Sequence, residues 1–118
     1  MTGARQILLI EDEPLIAMML EDFMESLGHG VAGTVDCVSD GLRAVDGGGF
    51  DAAILDVHLR DGEPCWPIAD ALADRGIAFV LATGGHTQDP PERHRAAPVL
   101  AKPYSLDRVD AALKSLLG

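Results

Sequence analysis

With 118 residues, the chain has room for one domain with a hydrophobic core and too little for two. It is 47% hydrophobic but only 4% aromatic, so Leu, Val, Ile, Ala and Met must fill that core. A formal net charge of −10 argues against a nucleic-acid-binding surface. No stretch approaches the ~20 apolar residues of a membrane span, and the N-terminus carries no signal-peptide pattern. Cys37 and Cys65 lack any CxxC or Cys/His spacing and read as free thiols of a reducing compartment. The expectation is a cytoplasmic protein that neither binds nucleic acid nor inserts into a membrane.

Gln6 to Ile10 (QILLI) is a short apolar run that fits a strand buried on both faces. It runs into three acids, Glu11, Asp12 and Glu13, and then Pro14, which suits the first turn of a helix. Leu15, Met18, Met19, Phe23 and Leu27 follow at helical spacing, and Gly28 closes that helix. The three methionines of this helix, Met18, Met19 and Met24, read as core filler and helix surface. Val31 to Val35 forms a second strand. Ser39 is a candidate N-cap for a helix that carries Leu42 and Val45 on one face and ends in Gly47-Gly48-Gly49.

Ala52 to Leu55 (AAIL) is a third strand, ending at Asp56. Pro67 to Arg75 reads as a helix stopped by Gly76, with Trp66 packing at its start. Ile77 to Ala82 (IAFVLA) is a fourth strand, ending at Thr83. The segment from Gly84 to Pro98 is rich in Pro and Gly and leaves room for only a short helix. Its histidines, His86 and His94, read as solvated. Pro98 to Ala101 is a fifth strand, ending at Lys102, and Ser105 caps a last helix striped with Leu106, Val109, Leu113, Leu116 and Leu117. Strand and helix alternate five times with short connections, which implies an α/β fold: a doubly wound parallel sheet with helices on both faces.

In open parallel sheets, ligands bind beyond the carboxyl ends of the strands. Glu11 and Asp12 follow the first strand, Asp56 ends the third, Thr83 the fourth and Lys102 the fifth. Three acids repel one another unless a positive charge lies among them. An all-oxygen set suits a hard divalent cation, Mg²⁺ above all. Such a site can also perform phosphoryl transfer, with a carboxylate as nucleophile and metal and lysine neutralising the phosphoryl oxygens. Glu13 reads as no more than an acid at the helix start.

These residues, in this order, resemble the receiver domain of bacterial two-component response regulators. The resemblance runs from about Arg5 to Leu117 and rests on IEDEP, ILDVHL, LATGG and AKPY together. It implies a five-stranded (βα)5 flavodoxin-like sheet of order 2-1-3-4-5, and one receiver domain over residues 1–118 without an output domain. It implies that Asp56 is the phosphoacceptor and that Glu11, Asp12, Asp56 and the backbone carbonyl of His58 bind Mg²⁺. Thr83 is then the hydroxyl that meets the phosphoryl group, and Lys102 is the family's lysine.

Some positions depart from the family pattern. Arg60 stands where many receivers have Pro, and Val99 occupies the aromatic switch position. The Ala82-Thr83-Gly84 run is similar to a Phe-Ala-Thr-Gly-aromatic signature of single-domain receivers, with Leu81 and Gly85 in the aromatic places. Val99, Gly84, Gly85, His86 and Tyr104 are the candidate switch and output residues.

The resemblance implies a phosphoacceptor rather than an enzyme acting on an external substrate. Its partners would be a histidine kinase or histidine phosphotransfer protein and a downstream protein target. Phosphorylation would shift the surface around the short fourth helix expected between Gly84 and Pro98 and the fifth strand, to control partner binding or relay the phosphoryl group. The alternative is a receiver fold used as a phosphorylation-independent binding module. A flavin binder would need a Gly- or Ser-rich phosphate loop after the first strand, where this chain has three acids.

Overall fold

The computed structural model describes residues 5–83, 90–101 and 104–117. Five strands form one parallel sheet in the order β2-β1-β3-β4-β5. They are β1 (Gln6–Ile10), β2 (Gly30–Val35), β3 (Ala52–Asp56), β4 (Ala78–Thr83) and β5 (Val99–Ala101). Four α-helices connect and cover them: α1 (Pro14–Leu27), α2 (Val38–Gly47), α3 (Trp66–Asp74) and α4 (Leu106–Leu117).

The apolar runs form strands because both faces of the sheet are covered. Alternate residues point to opposite faces. Leu8, Ile10, Ala53, Leu55 and Leu81 meet Val45 of α2 and Ile68 and Leu72 of α3. Ile7, Leu9, Ala52, Ile54 and Val80 meet Leu20 and Met24 of α1 and Val109 and Leu113 of α4. Every residue of β3 is buried, which explains a run with no polar alternation until Asp56. β1 skips a register position against β2 between Ile7 and Leu8, leaving Ala32 as the extra residue.

Helix ends follow local chemistry. Pro14 lies in the first turn of α1, and Gly28 takes a left-handed φ of 82° at its end. His29 N–H then closes the turn onto Met24 O at 2.9 Å. α2 starts two residues earlier than a Ser39 cap implies. Cys37 is its N-cap residue, and Ser39 lies inside the helix within 3.5 Å of the Cys37 Sγ. The buried face of α2 is Gly41 and Val45, while Leu42 lies partly exposed. Gly41 faces α3 closely: a Cβ there would lie 2.4 Å from Ile68 Cδ1, so a larger residue would oblige the Ile68 side chain to turn away. Ser105 does cap α4, accepting the Arg108 N–H at 3.2 Å.

The described part of the β4–β5 connection holds a 3-10 turn, Glu92–His94. His94 is not solvated. It is 3% exposed, its Nε2 lies 2.7 Å from Asp70 Oδ1 of α3, and its ring stacks on Trp66 and meets the edge of Phe79. The aromatic pair and the carboxylate give an imidazole both an apolar slot and a hydrogen-bond partner, which a loop histidine normally lacks. Among the described residues, no helix is long and apolar enough to cross a membrane.

Candidate functional site

The strand order puts the ends of β1 and β3 side by side, with Ile10 paired to Leu55 and Asp56 paired to Ala82 of β4. The chain leaves β1 through Glu11, whose N–H donates to Val35 O of β2 at 2.9 Å. Glu11 is therefore still anchored to the sheet and is 2% exposed. Asp12 lies further out toward solvent. Asp56, the last residue of β3, is 6% exposed. One carboxylate oxygen from each of Glu11, Asp12 and Asp56 lies within 4.8 Å of the others. Two buried carboxylates and one more open, at that spacing, form a donor set that fits a hard divalent cation.

Thr83 ends β4 opposite Ala101 of β5 and is half-buried. His58 is exposed and bridges to Pro64 across the loop after β3. Val99 starts β5 with 58% of its surface exposed. Tyr104 packs in the core layer of α1 and α4. Burial holds its phenol far above the ordinary range, with Glu11, Asp56 and Glu13 adding to the effect in that order. Tyr104 is thus the aromatic side chain whose ionisation feels the acid cluster. Burial likewise pushes the Cys65 thiol up to about 12, with Asp56 contributing. Glu13 is the exposed N-cap residue of α1, and its N–H donates to Glu11 Oε2 at 3.2 Å.

The structure therefore brings together Glu11, Asp12 and Asp56 from three sequence positions and sets Thr83 on the adjoining strand. Lys102, Gly84, Gly85 and His86 lie outside the described residues.

Glu11 and Asp12 line a groove of about 380 Å³ between α1 and the end of β2. This groove has a second acidic wall, Asp36 and Asp40, that was missed by reading only the ends of the first, third, fourth and fifth strands. The same rule applied to Val35 leads directly to Asp36. Arg60, in the loop after β3, faces that wall. Its Nη1 lies 3.4 Å from Asp36 Oδ2, and its N–H donates to Asp36 O at 3.1 Å.

A five-stranded parallel sheet with paired acids after β1 and an acid ending β3 defines the receiver class of signalling protein. The chain belongs to the response-regulator receiver-domain family. No protein-family model matches it. It is 55% identical to SdrG from Sphingomonas melonis Fr1 over the full length of both chains, with a TM-score of 0.88. The BeF3-activated conformation of SdrG (Pseudomonas melonis Fr1) superposes with a TM-score of 0.82 at the same identity and coverage. The PhyR response-regulator receiver domain of Erythrobacter litoralis is 31% identical, with a TM-score of 0.82 over 98% of this chain and 91% of that one. The transcriptional regulatory protein TcrA of Mycobacterium tuberculosis is 36% identical over 98% of this chain. The chain spans about half the length of the curated relatives it matches, 46% in the case of TcrA.

Proposed function

We propose that this receiver is a phosphoacceptor switch in which Asp56 takes a phosphoryl group from a histidine kinase or a histidine phosphotransfer protein. The observation that carries the proposal is the convergence of Glu11, Asp12 and Asp56, with donor oxygens within 4.8 Å of one another, at the edge of a buried sheet. Glu11, Asp12, Asp56 and the His58 carbonyl would hold Mg²⁺. When bound, the ion supplies positive charge against the phosphoryl oxygens.

The chain's own residues do the rest. Burial on β3 fixes the Asp56 carboxylate and keeps it from swinging into solvent. An Asp56 Oδ forms the new bond to phosphorus. The P–N bond to the donor imidazole breaks, and its electron pair returns to that ring nitrogen. Thr83, which ends the adjoining strand, would donate its hydroxyl hydrogen to a phosphoryl oxygen, and Lys102 is assigned the remaining neutralising charge. Asp12 and Glu11 repel the incoming phosphoryl group without a cation, so transfer requires the metal-loaded protein. SdrG, more than half identical, has a BeF3-activated conformation, which supports a response of the same kind here.

The output surface in this reading is the segment 84–98 with β5 and Tyr104, and its target is a further protein. The exposed, non-aromatic Val99 favours the second reading, a fixed binding module.

The test is a Mg²⁺ titration of wild type, Asp12→Ala and Glu13→Ala, followed by beryllofluoride and read from amide resonances. We expect Asp12→Ala to weaken Mg²⁺ binding by about tenfold or more (≥ ~1.4 kcal/mol) and Glu13→Ala by less than about twofold. Beryllofluoride shifts should centre on Asp56 and Thr83. Equal losses in the two variants would mean the acidic pair is misassigned. Mg²⁺ shifts with no response to beryllofluoride would favour the binding module.

A further inference from the structure

The β4–β5 connection is fastened at one point. Of residues 90–99, His94 alone is buried; Pro90 and Ala97 are half-buried and the rest exposed. Its ring enters a slot made by Trp66 and Asp70 of α3 and Phe79 of β4. Arg93 also reaches Asp70 and Asp74, but those pairs are about half exposed, and water screens them to little. Beside the ring, a groove of about 290 Å³ is lined by Ala97 and Pro98 of the connection and by Ala73, Ile77 and Leu116. Packing beyond His94 is therefore open. The ring rides on a single 3-10 turn, closed by His94 N–H to Pro91 O at 2.8 Å and Ala97 N–H to His94 O at 3.1 Å. A turn that short does not hold its shape without tertiary contacts.

Both sides of the slot lead back to the carboxyl edge of the sheet. Trp66 follows Cys65, whose N–H donates to Val57 O at 2.9 Å, and Val57 follows Asp56. The Val57 N–H donates in turn to Ala82 O at 3.2 Å, next to Thr83, where the connection departs. A shift at this edge moves the slot and the root of the connection relative to one another. We propose that His94 is a single-point latch: seated, it docks the connection on α3, and unseated, it lets residues 90–98 leave as a unit. What unseats it rests on the proposed phosphoacceptor function. A phosphoryl group on Asp56 shifts the balance toward the undocked form, which makes the start of α3 part of the switch.

Two readouts on the full chain test this. The first is the amide heteronuclear NOE, which reports fast backbone motion. In His94→Ala, residues 92–97 should fall to the values of a flexible chain while β4 and α3 stay rigid. Arg93→Ala should leave them as in wild type. Asp70→Ala, which loosens the slot from the α3 side and keeps the ring, should lower them part-way and serves if His94→Ala folds poorly. The second readout is the emission of Trp66, the chain's one tryptophan. Mg²⁺ with beryllofluoride should move wild-type emission toward that of ligand-free His94→Ala, beyond the change Mg²⁺ alone gives. The same addition should leave His94→Ala emission unchanged and have no effect on Asp56→Asn. Residues 92–97 as rigid in His94→Ala and Asp70→Ala as in wild type would overturn the latch. Beryllofluoride shifts at Asp56 and Thr83, with Trp66 emission and the 92–97 values unmoved, would overturn its release by the switch. If beryllofluoride moves nothing in wild type while His94→Ala frees 92–97, the phosphoacceptor reading fails and the latch stands.

Discussion

The carboxyl edge of the sheet and the β4–β5 connection are built by opposite rules. At the edge, Glu11, Asp12 and Asp56 bring like charges within 4.8 Å, two of them buried, so the arrangement favours a ligand of opposite charge. In the connection, His94 is buried with its partners already in place: Asp70 at 2.7 Å, Trp66 stacked with ring centroids 6.1 Å apart, and Phe79 edge-on at 5.7 Å. Arg93 beside it pairs with Asp70 and Asp74 of α3. One region gathers like charges at the sheet edge, and the other sets a buried polar ring among named partners on α3 and β4. A buried polar group is therefore a sign of function only after its internal partners have been counted.

That contrast can be broken from either side. The largest effect on stability should come from His94→Ala, which removes a buried ring with its stacking and hydrogen bond. Its loss should cost about 2–3 kcal/mol in urea unfolding. A loss below about 0.5 kcal/mol would mean the connection is not held by this contact. Arg93→Ala, by contrast, removes half-exposed ion pairs and should cost less than about 1 kcal/mol.

Alkaline pH sharpens the other side. Cys65 has a folded pKa of about 12 against an ordinary 9.0, so its proton is held more tightly in the folded chain. Its contribution is fully present below about pH 9 and is lost as pH rises toward 12. The raised Tyr104 phenol acts in the same direction. The urea midpoint should therefore fall between pH 8.5 and about 11, and Cys65→Ala should flatten that slope. An unchanged slope in Cys65→Ala would place the thiol outside the buried environment assigned to it.

The sequence made the layered fold legible because β1, β3 and β4 are short apolar runs closed by polar residues, too short for buried helices and without the alternation of a half-exposed strand, so they fit strands covered on both faces. The acidic trio followed from the rule that strand ends converge. The same rule was not carried to β2, whose six residues (GVAGTV) are half glycine and alanine and give a weak strand signal, so Asp36 and its neighbours went unread. Ser39 looked like a cap by residue type, yet the backbone enters the helix two residues earlier because Cys37 is extended there, at φ −146°. His94 was misplaced because its partners lie 24 and 28 residues away on α3, a distance at which local pattern carries no information. Gly41 likewise revealed nothing until Ile68 was set against it.

The most direct test of the central claim is intact-mass analysis of the wild-type chain and Asp56→Asn after incubation with a small phosphodonor and Mg²⁺. The account predicts a gain of one phosphoryl group on wild type, dependent on Mg²⁺, and none on Asp56→Asn. An equal gain on the variant would place the phosphoryl group on another residue. No gain on wild type, with its amide spectrum still that of a folded protein, would contradict the switch and leave a receiver fold used as a fixed binding module.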